Sequence, residues 1–238
     1  MIAGDKRALF GGVIMTNFPI TREVAAAMTE LEPGDPPRLF DGVYAPAFDP
    51  DVPEMLQRVQ GKCRMMANPA LASLTIDSLD HTTRRRQIRG GYLTQPNYTF
   101  VLDLSKSDIH GTPLTDQESH DMITAWAIGS ISNSNTITLV KQGQLVGNGV
   151  GQQDRVGAAE LAVKRGRDAG HHVTGAMAWS DSFFPAPDGP EVLGKAGIKA
   201  IFSSSGSKRD QESIDMCEKM GVTLLMQPDS EVRGFAKH

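Results

Sequence analysis

The residues best suited to chemistry lie in one run, SNSNTITLVKQGQLVGNGVGQQDR (132–155). Apolar and polar residues alternate on both sides of Gly143. The run then passes through Gly147, Gly149 and Gly151 to a helix start at Asp154. Backbone N–H groups that converge at such a helix start favour an anion, and glycine lets a ligand come close. Arg155 adds a fixed charge with a planar donor fork that suits phosphate or carboxylate. The spacing Gly147-x-Gly149-x-Gly151 is not the dinucleotide fingerprint, and it follows a hairpin rather than a lone strand. Two readings therefore stay open, a ligand-free turn from strand to helix and a phosphate or carboxylate site.

Two more loops carry chemical groups. Asp181-Ser182-Phe183-Phe184-Pro185 follows a short strand, and ligands of open α/β sheets bind at the carboxyl ends of strands. Its aromatic pair can stack on a flat heterocycle or pin the loop as core, and Asp188 can accept N–H donors. Ser203-Ser204-Ser205-Gly206-Ser207 holds the same place after the next strand, as an oxyanion or carbonyl site or as a capping loop. Six histidines occur, at 81, 110, 120, 171, 172 and 238, with no metal-ligand or triad spacing. His171-His172 reads as a surface pair at a helix C-terminus. The basic run Arg84-Arg85-Arg86 reads as a solvated face.

The elements that must position these groups alternate clearly in the second half. A hairpin (136–149), a helix (154–169), a strand (175–179), a helix (190–196), a strand (198–202), a helix after Ser207 and a strand (222–226) imply parallel pairing with right-handed crossovers. Ile214 and Cys217 face inward on the last helix, and Ser207 with Asp210 forms a capping-box variant. Gly170 and Gly221 end helices. The first half is less regular: a strand at 10–15, a helix from Thr21 to about Leu31, a strand at 42–45 and a helix from Asp51 to Val59. Residues 77–113 read as irregular. Thr115 with Glu118 forms a capping box that opens a helix to about Ile131, with Met122, Ile123 and Trp126 inward. A subdomain boundary is expected near 105–115.

At 238 residues, 39% hydrophobic and 22% charged, the chain has the composition of a soluble globular protein. A net charge of −4 argues against a nucleic-acid-binding surface. Two cysteines, Cys63 and Cys217, suit a reducing cytoplasm rather than a disulfide framework. No apolar run approaches the roughly 20 residues of a membrane helix.

Taken together, ALFGGVI (8–14), DGVYAP (41–46), the 132–155 run, SDSFFPAPDG (180–189), SSSGSKRD (203–210) and VRGFAKH (232–238) resemble a known family. The resemblance is to the C-terminal portion of the AICAR formyltransferase domain of the bifunctional enzyme that pairs it with IMP cyclohydrolase. It implies an α/β fold, three-layer α/β/α, with cytidine-deaminase-like subdomains and no zinc. It also implies formyl transfer from 10-formyltetrahydrofolate to 5-aminoimidazole-4-carboxamide ribonucleotide (AICAR), in the cytoplasm and within an oligomer. Gly11, Asp41, Asn135, Arg155, Phe183 and Arg233 then match nucleotide contacts, with Asn135 beside the reacting groups. Val156, Asp188, Ser207 and Lys208 match folate contacts. The family's LRYGENPHQ-like segment and the Lys-His pair of its KHANPCG-like segment do not occur in this sequence. The expectation is one half of a split enzyme, as a homodimer or with a chain that carries those segments. The alternatives are a self-sufficient enzyme with His81, His110 or His120 as base, and a non-catalytic binding subunit.

Overall fold

The computed structural model describes residue 4 and residues 11–29, 38–57 and 61–232. The chain forms two compact units, one of Lys6–Asp80 and one of His81–His238 with Ala3–Asp5. The 105–115 stretch lies inside the second unit, where the Thr112 amide donates to Thr223 Oγ1 at 3.1 Å.

The first unit alternates β1 (Val13–Met15), α1 (Arg22–Thr29), β2 (Gly42–Ala45), α2 (Val52–Leu56) and β3 (Arg64–Ala67). The strands lie side by side in that order, all parallel. Ile14, Val43, Ala45 and Met65 point to one face and pack with Ala25, Met28 and Leu56. Thr21 caps α1 as expected, its Oγ1 accepting the Val24 amide at 3.3 Å. Asp51 makes no side-chain cap bond to α2, because its carboxylate accepts Arg22 Nη1 at 2.9 Å instead. Phe10 and Val59, placed in elements by the sequence, lie outside the described residues.

The second unit opens with a hairpin of β4 (Thr83–Ile88) and β5 (Gly91–Pro96), exposed along almost its whole length. This corrects the irregular reading of 77–113. A strand with solvent on both sides needs no apolar alternation, so TRRRQI carries none. The main sheet follows: β6 (Asp108–His110), α3 (Asp116–Gly129), β7 (Ile137–Lys141), β8 (Gln144–Gly149), α4 (Arg155–Asp168), β9 (Met177–Ser180), α5 (Asp188–Lys195), β10 (Ala200–Ser205), α6 (Asp210–Lys219), β11 (Thr223–Pro228) and α7 (Asp229–Val232). Its strand order is β6-β11-β10-β9-β7-β8, with β9, β10 and β11 parallel and β7 antiparallel to β9. Ala178, Ile201 and Leu224 pack with Ala162, Leu193 and Cys217 of α4, α5 and α6. Trp179, Phe202 and Leu225 pack on the other face with Met122 and Ala125 of α3.

Both bonds of the Thr115–Glu118 capping box form. Ile123, expected inward, is exposed, while Met122 is buried. The β7–β8 turn has both central residues at positive φ, Gln142 (50°) and Gly143 (73°), the twist that a two-residue hairpin requires. Asp121 on α3 holds that turn by accepting the Gln142 and Gly143 amides at 2.6 and 2.7 Å.

The glycines of the 132–155 run have a different purpose from the one their spacing suggested. A Cβ on Gly147 would stand 2.3 Å from the Ala162 carbonyl oxygen, and one on Gly149 would stand 2.0 Å from that of Ala158. Both let α4 lie directly on β8. Gly151 alone sits in the loop, at φ 67°, where a Cβ would meet only the Asn133 Cβ at 4.0 Å.

Candidate functional site

Three loops of the second unit end on one rim, at the carboxyl ends of β9 and β10. The first precedes β7 and carries Asn135. Antiparallel pairing brings it there, since Ile137 registers with Ser180 and the Asp181 amide donates to the Thr136 carbonyl at 3.2 Å. The second follows β9 and carries Asp181 and Phe183. The third follows β10 and carries Ser207 and Lys208.

Asp181 ties the site together, and sequence reasoning did not single it out. Its carboxylate is buried, with the side chain 3% exposed. Oδ1 accepts the Thr136 amide at 3.0 Å and stands 3.5 Å from Arg155 Nη2; Oδ2 accepts the Ser134 hydroxyl. One carboxylate therefore grips both flanks of Asn135 and the guanidinium of Arg155. A buried carboxylate is tolerated when its lone pairs are filled and a cation stands beside it. The available signal was an acidic residue directly after the apolar strand MAWS.

Asn135 is held from the other side by Gln152. Their backbones exchange two bonds of 3.1 Å, and Asn135 Nδ2 donates to the Gln152 carbonyl at 2.9 Å. The carboxamide keeps a second N–H and its carbonyl oxygen for a ligand. The Ser134–Asn135 peptide bond is cis.

The start of α4 is already capped. Asp154 Oδ1 accepts the Gly157 amide at 2.7 Å, so a carboxylate occupies the position where the anion reading placed a ligand. Arg155, its side chain largely buried, brings a positive charge to this rim beside Asp181. Val156 follows it, half-buried.

The aromatic pair divides its roles. Phe184 is buried in the core against Gly189, and Phe183 is half-buried at the rim. Asp188 is exposed at the start of α5 and accepts only the amide of its neighbour Gly189 at 2.9 Å. It also acts on Arg209, whose guanidinium is raised above its ordinary pKa first by the hydrogen-bonded Glu212 carboxylate and more weakly by Asp188. Asp188 and the 207–209 turn thus share one electrostatic neighbourhood. The expected capping box there forms in part: Asp210 accepts the Gly206 and Ser207 amides at 2.7 and 3.2 Å, but the Ser207 hydroxyl accepts the Arg209 amide rather than that of Asp210. Lys208 is exposed.

Beneath the rim lie buried hydroxyls that the sequence did not mark as a group. Ser182 donates to Asp229 Oδ1 at 3.0 Å, Ser204 donates to the same oxygen, and Ser180 donates to the Ser182 carbonyl at 2.7 Å. They link the loops after β9, β10 and β11.

Gly11 and Asp41 come together within the first unit. The Gly12 amide donates to Asp41 Oδ2 at 2.8 Å, and the Asp41 amide donates to the Gly12 carbonyl at 2.8 Å. Gly11 has φ 89°, and a Cβ there would stand 2.6 Å from Asp41 Oδ2, so only glycine fits. This corner lies at the amino ends of β1 and β2. Arg233 lies outside the described residues.

Of the histidines weighed as a base, His110 pairs with Leu224 near the start of β11, far from the carboxyl rim, and His81 and His120 are exposed. His171 Nε2 lies 2.8 Å from the Gly4 carbonyl oxygen. Burial pushes the Cys217 thiol up to about 12, so it is no nucleophile. Among the described residues, no group of three or more His, Cys, Asp or Glu could hold a metal ion, and no helix is long and apolar enough to cross a membrane.

Comparison with known proteins places these features in a family. Solved structures similar to the chain include a dCMP deaminase from the cyanophage S-TIM5 (18% identity, 49% of this chain and 100% of that one, TM-score 0.37). Among curated proteins, the bifunctional purine biosynthesis protein PurH of Oceanobacillus iheyensis is 35% identical over 98% of this chain and 42% of its own length. The PurH proteins of Cutibacterium acnes and Staphylococcus carnosus are 36% and 33% identical, each over 93% of this chain. The chain thus spans about two-fifths of the length of the relatives it matches. The model of the AICARFT/IMPCHase bienzyme family matches residues 1–165, which hold Gly11, Asp41, Asn135 and Arg155. By that match the chain belongs to the AICARFT/IMPCHase bienzyme family.

Proposed function

We propose that this chain is the C-terminal portion of the family's formyltransferase domain and acts in purine biosynthesis. In this reading it helps to transfer a formyl group from 10-formyltetrahydrofolate to AICAR, in the cytoplasm. The fold is then the three-layer, zinc-free arrangement of that transformylase. Gly11, Asp41, Asn135, Arg155, Phe183 and Arg233 serve the nucleotide, and Val156, Asp188, Ser207 and Lys208 serve the folate. The observation that supports it most is the Asp181 clamp, which holds Asn135 and Arg155 at one rim with Phe183.

The chemistry asks for such an arrangement. The AICAR amine is a weak nucleophile, because its lone pair is delocalised into the ring and carboxamide. Its attack on the formyl carbon builds an oxyanion, and the amine must lose a proton as the new C–N bond forms; collapse of the oxyanion then breaks the bond from the formyl carbon to N10 of the folate, which takes up a proton and leaves as tetrahydrofolate. A donor held in place for the oxyanion is among the largest contributions that a site makes. In this reading the second N–H of the Asn135 carboxamide is one such donor, and its bond to the Gln152 carbonyl supports that role by fixing the side chain. A positioned base adds about 10²–10⁴-fold. The family's Lys-His segment does not occur in these 238 residues, and in this reading the base is supplied from outside them.

A non-catalytic nucleotide- or folate-binding subunit is the second reading, favoured by the place of His110 away from the rim. Calorimetry on the purified chain should show AICAR binding that Arg155→Ala weakens. Formyl transfer should appear once the complementary portion of a PurH relative is added, and Asn135→Ala should reduce it. No binding of AICAR or a folate analogue ends both readings. Binding with transfer indifferent to Asn135→Ala leaves only the second.

A further inference from the structure

The strands that carry the rim separate before their loops begin. β10 stays paired with β11 through Ser205 and Pro228, but its ladder with β9 ends at Phe202 and Trp179. Beyond that point the chain leading to Phe183 and the chain leading to Ser207 run without a ladder between them. Ligands of open α/β sheets bind past the carboxyl ends of strands, which is where this parting lies.

One side chain spans it. Asp229 opens α7, directly after the β11 ladder ends at Pro228. Its Oδ1 accepts the Ser182 hydroxyl at 3.0 Å from the β9 side and the Ser204 hydroxyl from the β10 side. Ser182 and Ser204 are each 1% exposed, and a buried hydroxyl without an acceptor is costly, so both are committed to this oxygen. Ser182 is gripped twice, because its carbonyl also accepts the Ser180 hydroxyl at 2.7 Å, and Phe183 is the next residue. On the other side, a Cβ on Gly206 would stand 3.8 Å from the Asp229 Cβ, so the turn that carries Ser207 lies against Asp229. The far end of α7 is fixed as well. Tyr98 donates its hydroxyl to the Val232 carbonyl at 2.9 Å and stands in an aromatic row with Phe100 and Trp126. Asp210 shapes the 206–207 turn from within, and Asp181 ties the β9 loop to Asn135 and Arg155. Neither of these carboxylates joins the two loops to each other.

We propose that Asp229 is a positioning residue whose carboxylate sets the spacing between the Phe183 loop and the Ser207 turn, and with it the fit of two ligands bound side by side. The bridge stands on geometry alone; its use by a nucleotide and a folate rests on the formyl-transfer reading. A bridge differs from two separate hydrogen bonds in one respect. Cutting either arm severs it, so a second cut adds little. Ser182→Ala and Ser204→Ala cut one arm each, Asp229→Ala cuts both, and Asp229→Asn keeps an oxygen able to accept both hydroxyls.

Hydrogen exchange on the ligand-free chain reads the bridge. In Asp229→Ala the 182–184 and 205–207 amides should exchange about tenfold faster or more, while those of Asn135 and Gln152 hold their rate. Asp229→Asn should stay within about threefold of the parent. Ser182→Ala and Ser204→Ala together should speed exchange no more than either does alone, and they carry this test if Asp229→Ala does not fold. Calorimetry reads the use, with a folate analogue titrated into the AICAR-saturated chain. Asp229→Ala should weaken that binding by about tenfold, and AICAR alone by about threefold or less, since Asp181 still holds Asn135 and Arg155. The proposal is overturned if exchange at the two loops does not respond, if the two serine effects simply add, or if both ligands weaken equally. The last result would make Asp229 a residue of stability alone. A parent chain that binds neither ligand ends the formyl-transfer reading, and the exchange result still decides the bridge.

Discussion

Asp181 is the residue on which the rim depends. Asp181→Asn keeps an acceptor for the Thr136 amide but leaves the largely buried Arg155 charge without its carboxylate. Breaking a buried pair from one side costs about 3 kcal/mol, and the 3.5 Å separation argues for no more than that here. Ser134→Ala removes one hydrogen bond and should cost about 1 kcal/mol. Chemical denaturation measures both. Calorimetry with AICAR then separates a clamp that orients Asn135 and Arg155 from a purely structural one. The first loses affinity in Asp181→Asn well beyond Ser134→Ala, and the second loses stability alone. Sequence reasoning reached the residues that this carboxylate holds but not the carboxylate. Asn135 and Arg155 stand in a conspicuous run, whereas the partnership of Asp181 with both spans long stretches of chain and exists only once β7 lies against β9.

Elements were legible where their signals are local. The Thr115–Glu118 box, the hairpin turn at Gly143 and the parallel trio after Gly170 are carried by neighbouring residues, and all three are present. The purpose of Gly147 and Gly149 was hidden, because their spacing does not say that α4, the next element, folds back to lie directly on β8. Gly149→Ala should show the difference: its methyl would meet the backbone of Ala158 and Ala162, which cannot swing aside, so the cost should reach about 3 kcal/mol, the upper end for overpacking. A melting temperature unchanged by that substitution would return the glycines to the loop reading. The capping box carries a pH signature as well. The hydrogen bond from Lys199, then that from the Thr115 amide, holds the Glu118 carboxyl below its usual pKa. A carboxyl depressed in the folded state stabilises above its unfolded pKa of about 4.3, and that contribution fades as pH falls through the folded value. Glu118→Gln should therefore lower the melting temperature at neutral pH, with the gap to the parent closing in acid. A gap that stays constant with pH would mean that charge plays no part.

At the scale of the whole molecule, the two larger sheets share one plan of parallel strands with intervening helices. Among the described residues, the sheet of the second unit is covered on both faces and that of the first on one. The repeat escaped sequence reading because it lies in topology, with no common run of residues between 13–67 and 177–228. The β4–β5 hairpin bears on the chain's integrity. It stands just after the division at Asp80, it has no third strand, and it displays Arg84, Arg85, Arg86 and Arg89 to solvent. Two-stranded ribbons are marginal in water, so this one opens readily. Brief digestion with trypsin should cut there first, giving on a denaturing gel one fragment that ends within 84–89 and another that begins there. The chain is scored for separation between its two cores, and a protease finds the line before any denaturant does.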